Sequence, residues 1–65
     1  MKAPEKLKKL RTEKGESRQD TADAIGVSAS SICQYELGDK TPRDEVKVKL
    51  AEHFGVSVQD LFFTP

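Results

Sequence analysis

The stretch SASSICQYE, residues 28–36, predicts a short helix with two unlike sides. Ser28 is placed to cap its N-terminus, because a serine hydroxyl accepts a hydrogen bond from a backbone N–H of the first helical turn. At about 100° per residue, Ser31, Ile32 and Tyr35 share one side, which is expected to face a core. The opposite side is small and polar and consists of Ala29, Ser30, Cys33 and Gln34. Nothing on that second side requires burial.

A second capped helix precedes this stretch and is joined to it by a tight turn. Ser17, with Asp20 three residues later, forms a start that is similar to a capping box. Gly26 supplies the positive φ that a tight turn needs, and the small Ala22 lets the two helices approach closely. The remaining buried positions are expected at Thr21, Ile25, Val27 and Ile32. These signals together predict a helix-turn-helix over about residues 18–37, with residues 28–36 as the helix that enters the DNA groove.

A first helix and a short fifth helix are predicted at the two ends of the chain. The first begins near Pro4 and ends before Gly15, and its thin apolar stripe is Leu7 and Leu10. The fifth follows a capping serine at position 57 and includes Leu61 and Phe62. Two adjacent helical residues cannot both point inward, so one of Phe62 and Phe63 is expected to close the core. The other is expected to contact a partner.

The fourth helix is predicted to begin at Thr41, with that residue as N-cap and Pro42 at the first helical position. Its buried stripe repeats at four residues and consists of Val46, Leu50 and Phe54, with Ala51 beside them. The sequence shows no strand pattern, repeat or linker. We therefore predict a single all-α domain over residues 1–65, folded as a compact bundle of about five short helices.

Composition narrows the possible functions. Cys33 is the only cysteine, and with the lone His53 it supplies too few ligands for a structural zinc site, so no metal and no cofactor are expected. No Ser/His/Asp spacing, phosphate loop or carboxylate pair indicates an enzyme. His53 is expected to interact with the dipole at the end of the fourth helix.

No apolar run follows Met1, so neither a signal peptide nor a membrane span is expected, which indicates the cytoplasm.

The charges of the chain argue both against and for binding to nucleic acid. The formal net charge is zero, whereas a DNA-binding domain is expected to show a basic patch. However, residues 1–18 hold seven basic and three acidic groups, and the remainder holds four basic and eight acidic groups. The basic half would support DNA binding if it flanks the helix at residues 28–36.

The sequence resembles the Cro/repressor-type, or XRE-type, helix-turn-helix family of phage and bacterial regulators. The resemblance covers roughly residues 5–63 and is carried by LKKLR at 7–11, ADAIGVS at 22–28, YELG at 35–38, TP at 41–42, LA at 50–51 and FGVSVQDL at 54–61. It implies a lambda-repressor-like fold and sequence-specific binding to a palindromic operator in double-stranded DNA. It also implies a homodimer, formed in solution or only on DNA. No separate small-molecule domain is expected.

The resemblance also assigns roles to individual residues. The residues expected to read bases are Ala29, Ser30, Cys33 and Gln34. The residues expected to contact the DNA backbone are Arg18, Ser28, Lys40 and Arg43. Arg11 and Glu36 match the family's semi-buried ion pair between the first and third helices. Phe62 and Phe63 are the candidate dimer contacts. Thr21 departs from the family, which usually has leucine at that position.

Three functions stay open at this point. The first is a transcriptional regulator, a repressor of phage or prophage type, which Arg18, Gln34 and the lysine-rich first helix favour. The second is a helix-turn-helix module for protein–protein interaction, which zero net charge and the short Ala29 and Ser30 favour. The third is the antitoxin of a toxin–antitoxin pair. The sequence specifies neither the operator nor a redox role for Cys33.

Overall fold

A computed structural model describes residues 1–63 of the chain, and this part contains helices and no strand. The elements are α1 (Ala3–Glu13), α2 (Arg18–Ile25), α3 (Ala29–Leu37), α4 (Asp44–Phe54) and α5 (Gln59–Phe63), the last being one turn of π-helix. The all-α prediction of about five short helices is confirmed. Thr64 and Pro65, the end of the predicted domain, lie outside the described residues. None of the described helices is long and apolar enough to cross a membrane.

The junction of α2 and α3 follows the predicted capping pattern. Ser17 Oγ accepts a hydrogen bond from the backbone N–H of Asp20 at 3.0 Å, and Asp20 Oδ2 accepts one from the N–H of Ser17 at 3.0 Å. Gly26 ends α2 with φ +79°. Ser28 Oγ then accepts from the N–H of Ser31 at 3.1 Å. Both helix starts and the turn between them are therefore fixed by local hydrogen bonds.

The core is formed where α3 packs against α1 and α2, while α4 packs against α2 and α5 against α1. Its buried apolar side chains are Leu7, Ala22, Ile25, Ile32, Tyr35, Leu50 and Leu61. Phe62 is half-buried against this cluster, whereas Phe63 is 62% exposed. The expectation that one of the two phenylalanines points inward and the other outward is confirmed. The inner side of α3 is thus held on two helices, α1 and α2, which fixes the direction of its outer side.

The start of α4 differs from the prediction. Thr41 and Pro42 both precede the helix, and its N-cap is Arg43, whose side chain makes no capping bond. The first helical hydrogen bond runs from the N–H of Lys47 to the carbonyl of Arg43 at 2.9 Å. Pro42 is buried and lines one cleft with Tyr35. The proline therefore packs in an extended segment, and the helix begins two residues later than the Thr-Pro signal indicates.

Candidate nucleic-acid interface

The outer side of α3 presents two exposed polar side chains, Ser30 and Gln34. Cys33 lies between them and is half-buried. Ala29 departs from the prediction that nothing on this side requires burial, because it is half-buried and packs against the core. The reason is helical spacing: Ala29 is three residues before Ile32, and residues three apart share a face. The part of α3 that faces solvent is accordingly narrower than predicted and centred on Ser30 and Gln34.

The candidate contacts to the DNA backbone occupy different environments. Lys40 and Arg43 are exposed, in the segment between α3 and α4. The loop folds back on α3, since the N–H of Lys40 donates to the carbonyl of Gln34 at 3.3 Å. Ser28 is exposed, but its hydroxyl also donates to Ser31 Oγ at 3.0 Å. Arg18 is the first residue of α2, and its side chain is 41% exposed.

Arg11, Arg18 and Glu36 form a group that we call the arginine cluster. Arg11 Nε donates to Glu36 Oε2 at 2.5 Å, and Arg11 Nη2 donates to Glu36 Oε1 at 3.1 Å. Arg18 Nε donates to the same Oε1 at 3.2 Å. The Glu36 side chain is 1% exposed, and the Arg11 side chain is 10% exposed. The ion pair that the family resemblance implies is therefore present, and a second arginine, Arg18, binds the same carboxylate.

The charge of Arg11 is stabilised by this arrangement. The hydrogen bond to Glu36 raises the pKa of Arg11 above its ordinary value, and the charges of Glu36 and Glu16 act in the same direction. Desolvation of the guanidinium lowers the pKa but is outweighed. Arg11 Nη1 also donates to the carbonyl of Glu16 at 2.8 Å. This one side chain thereby ties α1 to α3 and to the loop before α2.

A second polar group, the Glu16 cluster, comprises Lys14, Glu16, Thr21 and His53. His53 Nε2 lies 2.7 Å from Glu16 Oε1 and 2.9 Å from Oε2. The buried Thr21 hydroxyl donates to Glu16 Oε1 at 2.7 Å. Lys14 Nζ lies 3.5 Å from Glu16 Oε2 and donates to the carbonyl of His53 at 2.9 Å. The cluster joins the end of α4 to the loop between α1 and α2.

The environment of Glu16 favours its ionised form. Partial burial raises the pKa of its carboxyl, but hydrogen bonds with His53 and Thr21 and the charges of His53 and Lys14 outweigh burial. The pKa of Glu16 therefore lies below its ordinary value. Sequence reasoning missed this cluster, because 37 positions separate Glu16 from His53 and no short pattern connects them. The one available signal was Thr21, a hydroxyl residue at a position where the family usually has leucine.

The candidate dimer contacts lie at the end of the described chain. Lys47 Nζ is 5.6 Å from the ring centroid of Phe62 and 5.1 Å from that of Phe63. Both distances are in the range of a cation–π interaction. Phe63 nevertheless stays largely exposed, so this corner of α4 and α5 presents an aromatic ring beside a cation. Within residues 1–63, no group of three or more His, Cys, Asp or Glu side chains could hold a metal ion.

Comparisons with known proteins identify relatives of this chain. The sequence model of the family described as Helix-turn-helix matches residues 7–61. The SPbeta prophage-derived uncharacterized HTH-type transcriptional regulator YonR of Bacillus subtilis (strain 168) is 40% identical over 57 residues, which are 88% of this chain and 53% of that protein. The cryptic phage CTXphi transcriptional repressor RstR of Vibrio cholerae is 34% identical over 56 residues, 86% of this chain and 50% of its own length. The chain thus spans about half the length of these two relatives.

A solved structure has the same fold. The P22 c2 repressor protein, crystallised in complex with the synthetic operator 9T in the presence of Tl+, superposes with a TM-score of 0.93. The superposition covers 97% of this chain and 96% of that chain, and 21% of the residues are identical. At this level of identity the likeness concerns the arrangement of the helices, including the position of α3 on the surface.

Proposed function

Because this chain belongs to the Cro/repressor-type, or XRE-type, helix-turn-helix family, we propose that it is a sequence-specific DNA-binding transcriptional regulator. The observation that carries the proposal is the pair of exposed polar side chains, Ser30 and Gln34, on a helix whose other side is buried. The prophage and phage origin of these relatives supports a repressor of phage or prophage type. A regulator of this kind works without catalysis, and in a bacterium it acts in the cytoplasm, where the DNA is.

In this proposal α3 enters the major groove of double-stranded DNA. Gln34 hydrogen-bonds the edge of an adenine, a contact worth about 1–3 kcal/mol of discrimination, and Ser30 bonds a base or a phosphate. Cys33 and Ala29 add small apolar contacts beside them. Arg18, Lys40 and Arg43 bind backbone phosphates, and such contacts position a protein without reading the sequence.

The test of this function begins with selection of binding sites from random double-stranded DNA. We expect Gln34→Ala to lower affinity for the selected site by about 1–3 kcal/mol while affinity for scrambled DNA hardly changes. Thermal stability should stay near that of the wild type, since Gln34 is exposed. Competition binding between selected and scrambled duplexes separates the two effects.

Gln59→Ala is the matched control, because Gln59 is also an exposed helical glutamine but lies on α5. It should leave the specificity ratio unchanged. If Gln34→Ala and Ser30→Ala both keep the wild-type ratio, α3 does not read the bases. A protein-interaction module, the alternative function, would then be favoured.

The exposed Leu37, Val48 and Phe63 already support that alternative, because large apolar side chains at the surface suit a protein partner. An antitoxin that binds both DNA and a toxin is a variant of it.

The proposed regulator binds a palindromic operator as a homodimer, in solution or only on DNA. A two-fold dimer through Phe63, with Phe62 behind it, would place two copies of α3 in successive major grooves, about 34 Å apart. We expect cooperative binding of two chains to one palindrome, measured by light scattering of the complex or by titration at high concentration. Phe63→Ala should weaken the cooperativity and leave binding to a half-site intact. Non-cooperative one-to-one binding on a palindrome would contradict the dimer.

A further inference from the structure

Glu36 holds two arginines on a side chain that is almost fully buried. Arg11 engages both carboxylate oxygens, Oε2 through Nε and Oε1 through Nη2. Arg18 donates its Nε to the same Oε1. One negative charge is therefore shared between two guanidinium groups, and the arginine cluster keeps an excess of one positive charge.

The two arginines differ in what they leave available. Arg11 is buried, and its third nitrogen donates to the carbonyl of Glu16, so its donors are engaged within the fold. The Arg18 side chain is 41% exposed, and in the described part of the chain its only hydrogen bond is the one from Nε. The two Nη groups of Arg18 have no partner among residues 1–63. The excess positive charge accordingly lies on the more exposed of the two guanidinium groups.

A guanidinium with its Nε fixed differs from a mobile cation. Its planar Nη groups then point in a defined direction, and such a pair of donors binds two phosphate oxygens at once. A side chain that is already ordered also loses less conformational entropy when it binds. A lysine cannot do the same, because its charge is a single point on a flexible stem, and Glu36 would draw that point inward.

Resting on the proposed function, we infer that Glu36 is a positioning residue for DNA binding. It fixes Arg18 through Nε, so that the Nη pair of Arg18 is directed at a backbone phosphate beside the first turn of α2. Arg11 contributes by occupying most of the acceptor capacity of Glu36, which prevents the carboxylate from neutralising Arg18. The buried ion pair between α1 and α3 thereby serves phosphate binding as well as the fold.

The experiment compares Arg18→Lys with Arg18→Ala, because both variants keep the buried Arg11–Glu36 pair. The probe is a labelled duplex of random sequence, about 20 base pairs long, titrated between about 50 and 200 mM salt. Thermal melting by circular dichroism sets a temperature at which every variant is folded. We expect both variants to reduce the slope of log affinity against log salt by about one and to bind about tenfold more weakly.

Lys49→Ala is the control for loss of charge, since Lys49 is an exposed cation on α4 near the C-terminal end of α2. It should keep the wild-type slope. Wild-type slope and affinity in Arg18→Lys would overturn the inference, because charge alone would then suffice. An equal loss in Lys49→Ala would overturn it as well, and so would wild-type binding by Arg18→Ala. If the wild-type protein fails to bind DNA at all, the proposed function fails together with the inference.

Discussion

The arginine cluster and the Glu16 cluster both join parts of the chain that are far apart in sequence, but they differ in burial and in the permanence of their charges. The Glu36 carboxylate is 1% exposed, and its two partners are guanidinium groups that stay charged throughout the pH range in which proteins fold. The Glu16 carboxylate is 18% exposed, and its nearest ionisable partner is His53. A histidine is charged only when its imidazole is protonated.

This difference indicates what each cluster contributes. Removal of Glu36 would leave a buried guanidinium without a counter-charge, and the interior offers no replacement. Removal of Glu16 would leave a hydroxyl and a partly exposed imidazole, and water can reach the imidazole. We therefore expect the arginine cluster to dominate stability and the Glu16 cluster to make stability depend on pH.

The largest effect is expected for Glu36→Ala. Breaking a buried ion pair by removing one partner costs about 3–5 kcal/mol, a large part of the stability of a small domain. The variant should be mostly unfolded near room temperature, as measured by circular dichroism during urea and thermal denaturation. Glu52→Ala, at an exposed position on α4, is the matched control and should melt near the wild-type temperature. If Glu36→Ala melted at the wild-type temperature, the arginine cluster would not dominate the stability of the fold.

A smaller loss is expected for Glu16→Ala at neutral pH. The buried Thr21 hydroxyl loses its acceptor, and an unsatisfied buried donor costs about 1–3 kcal/mol. The urea midpoint at unchanged m-value measures the loss. Thr21→Val, which keeps the shape of the side chain, should lose less than Glu16→Ala because the contact with His53 remains. A loss from Glu16→Ala that equals the loss from Glu36→Ala would show that the two clusters do not differ in strength.

The smallest effect expected is a pH dependence of stability that arises from the Glu16 cluster. The pKa of Glu16 is lower in the folded state than its ordinary value, so its contribution is present above that ordinary value and is lost as pH falls through the folded pKa. Between about pH 5 and 3 the wild type should lose more stability than Glu16→Gln. The raised pKa of Arg11 has the opposite consequence: its contribution persists as pH rises and is lost only at extreme alkaline pH. If the wild type and Glu16→Gln lost the same free energy of unfolding over this acid range, the assignment of the pH dependence to Glu16 would be contradicted.

Sequence reasoning succeeded where the determinants are local. The serine caps at 17, 28 and 57 and the glycine that ends α2 act within a few residues, and each is read from a short pattern. The same reasoning failed at Thr41 and Pro42, because a Thr-Pro pair starts a helix only if tertiary packing does not use the proline otherwise. The buried Pro42 shows that packing decided the helix start.

The candidate site could be predicted only in part for a related reason. Helical spacing placed Ser30 and Gln34 outward, since their exposure depends on α3 alone once its inner side is known. The bond between Arg18 and Glu36 and the bond between His53 and Glu16 depend on how separate helices are arranged. No spacing along the chain encodes those arrangements, because they are set by tertiary packing.

The position of Glu36 on α3 also determines how this protein could be re-engineered. Rewriting the outer side of α3 at Ser30 and Gln34 changes residues that contact solvent, so new base preferences can be sought there at little structural risk. Grafting α2 and α3 alone onto another scaffold would separate Glu36 from Arg11, which α1 supplies. A portable DNA-reading unit cut from this protein therefore has to include α1, or a scaffold that provides an arginine at the same place.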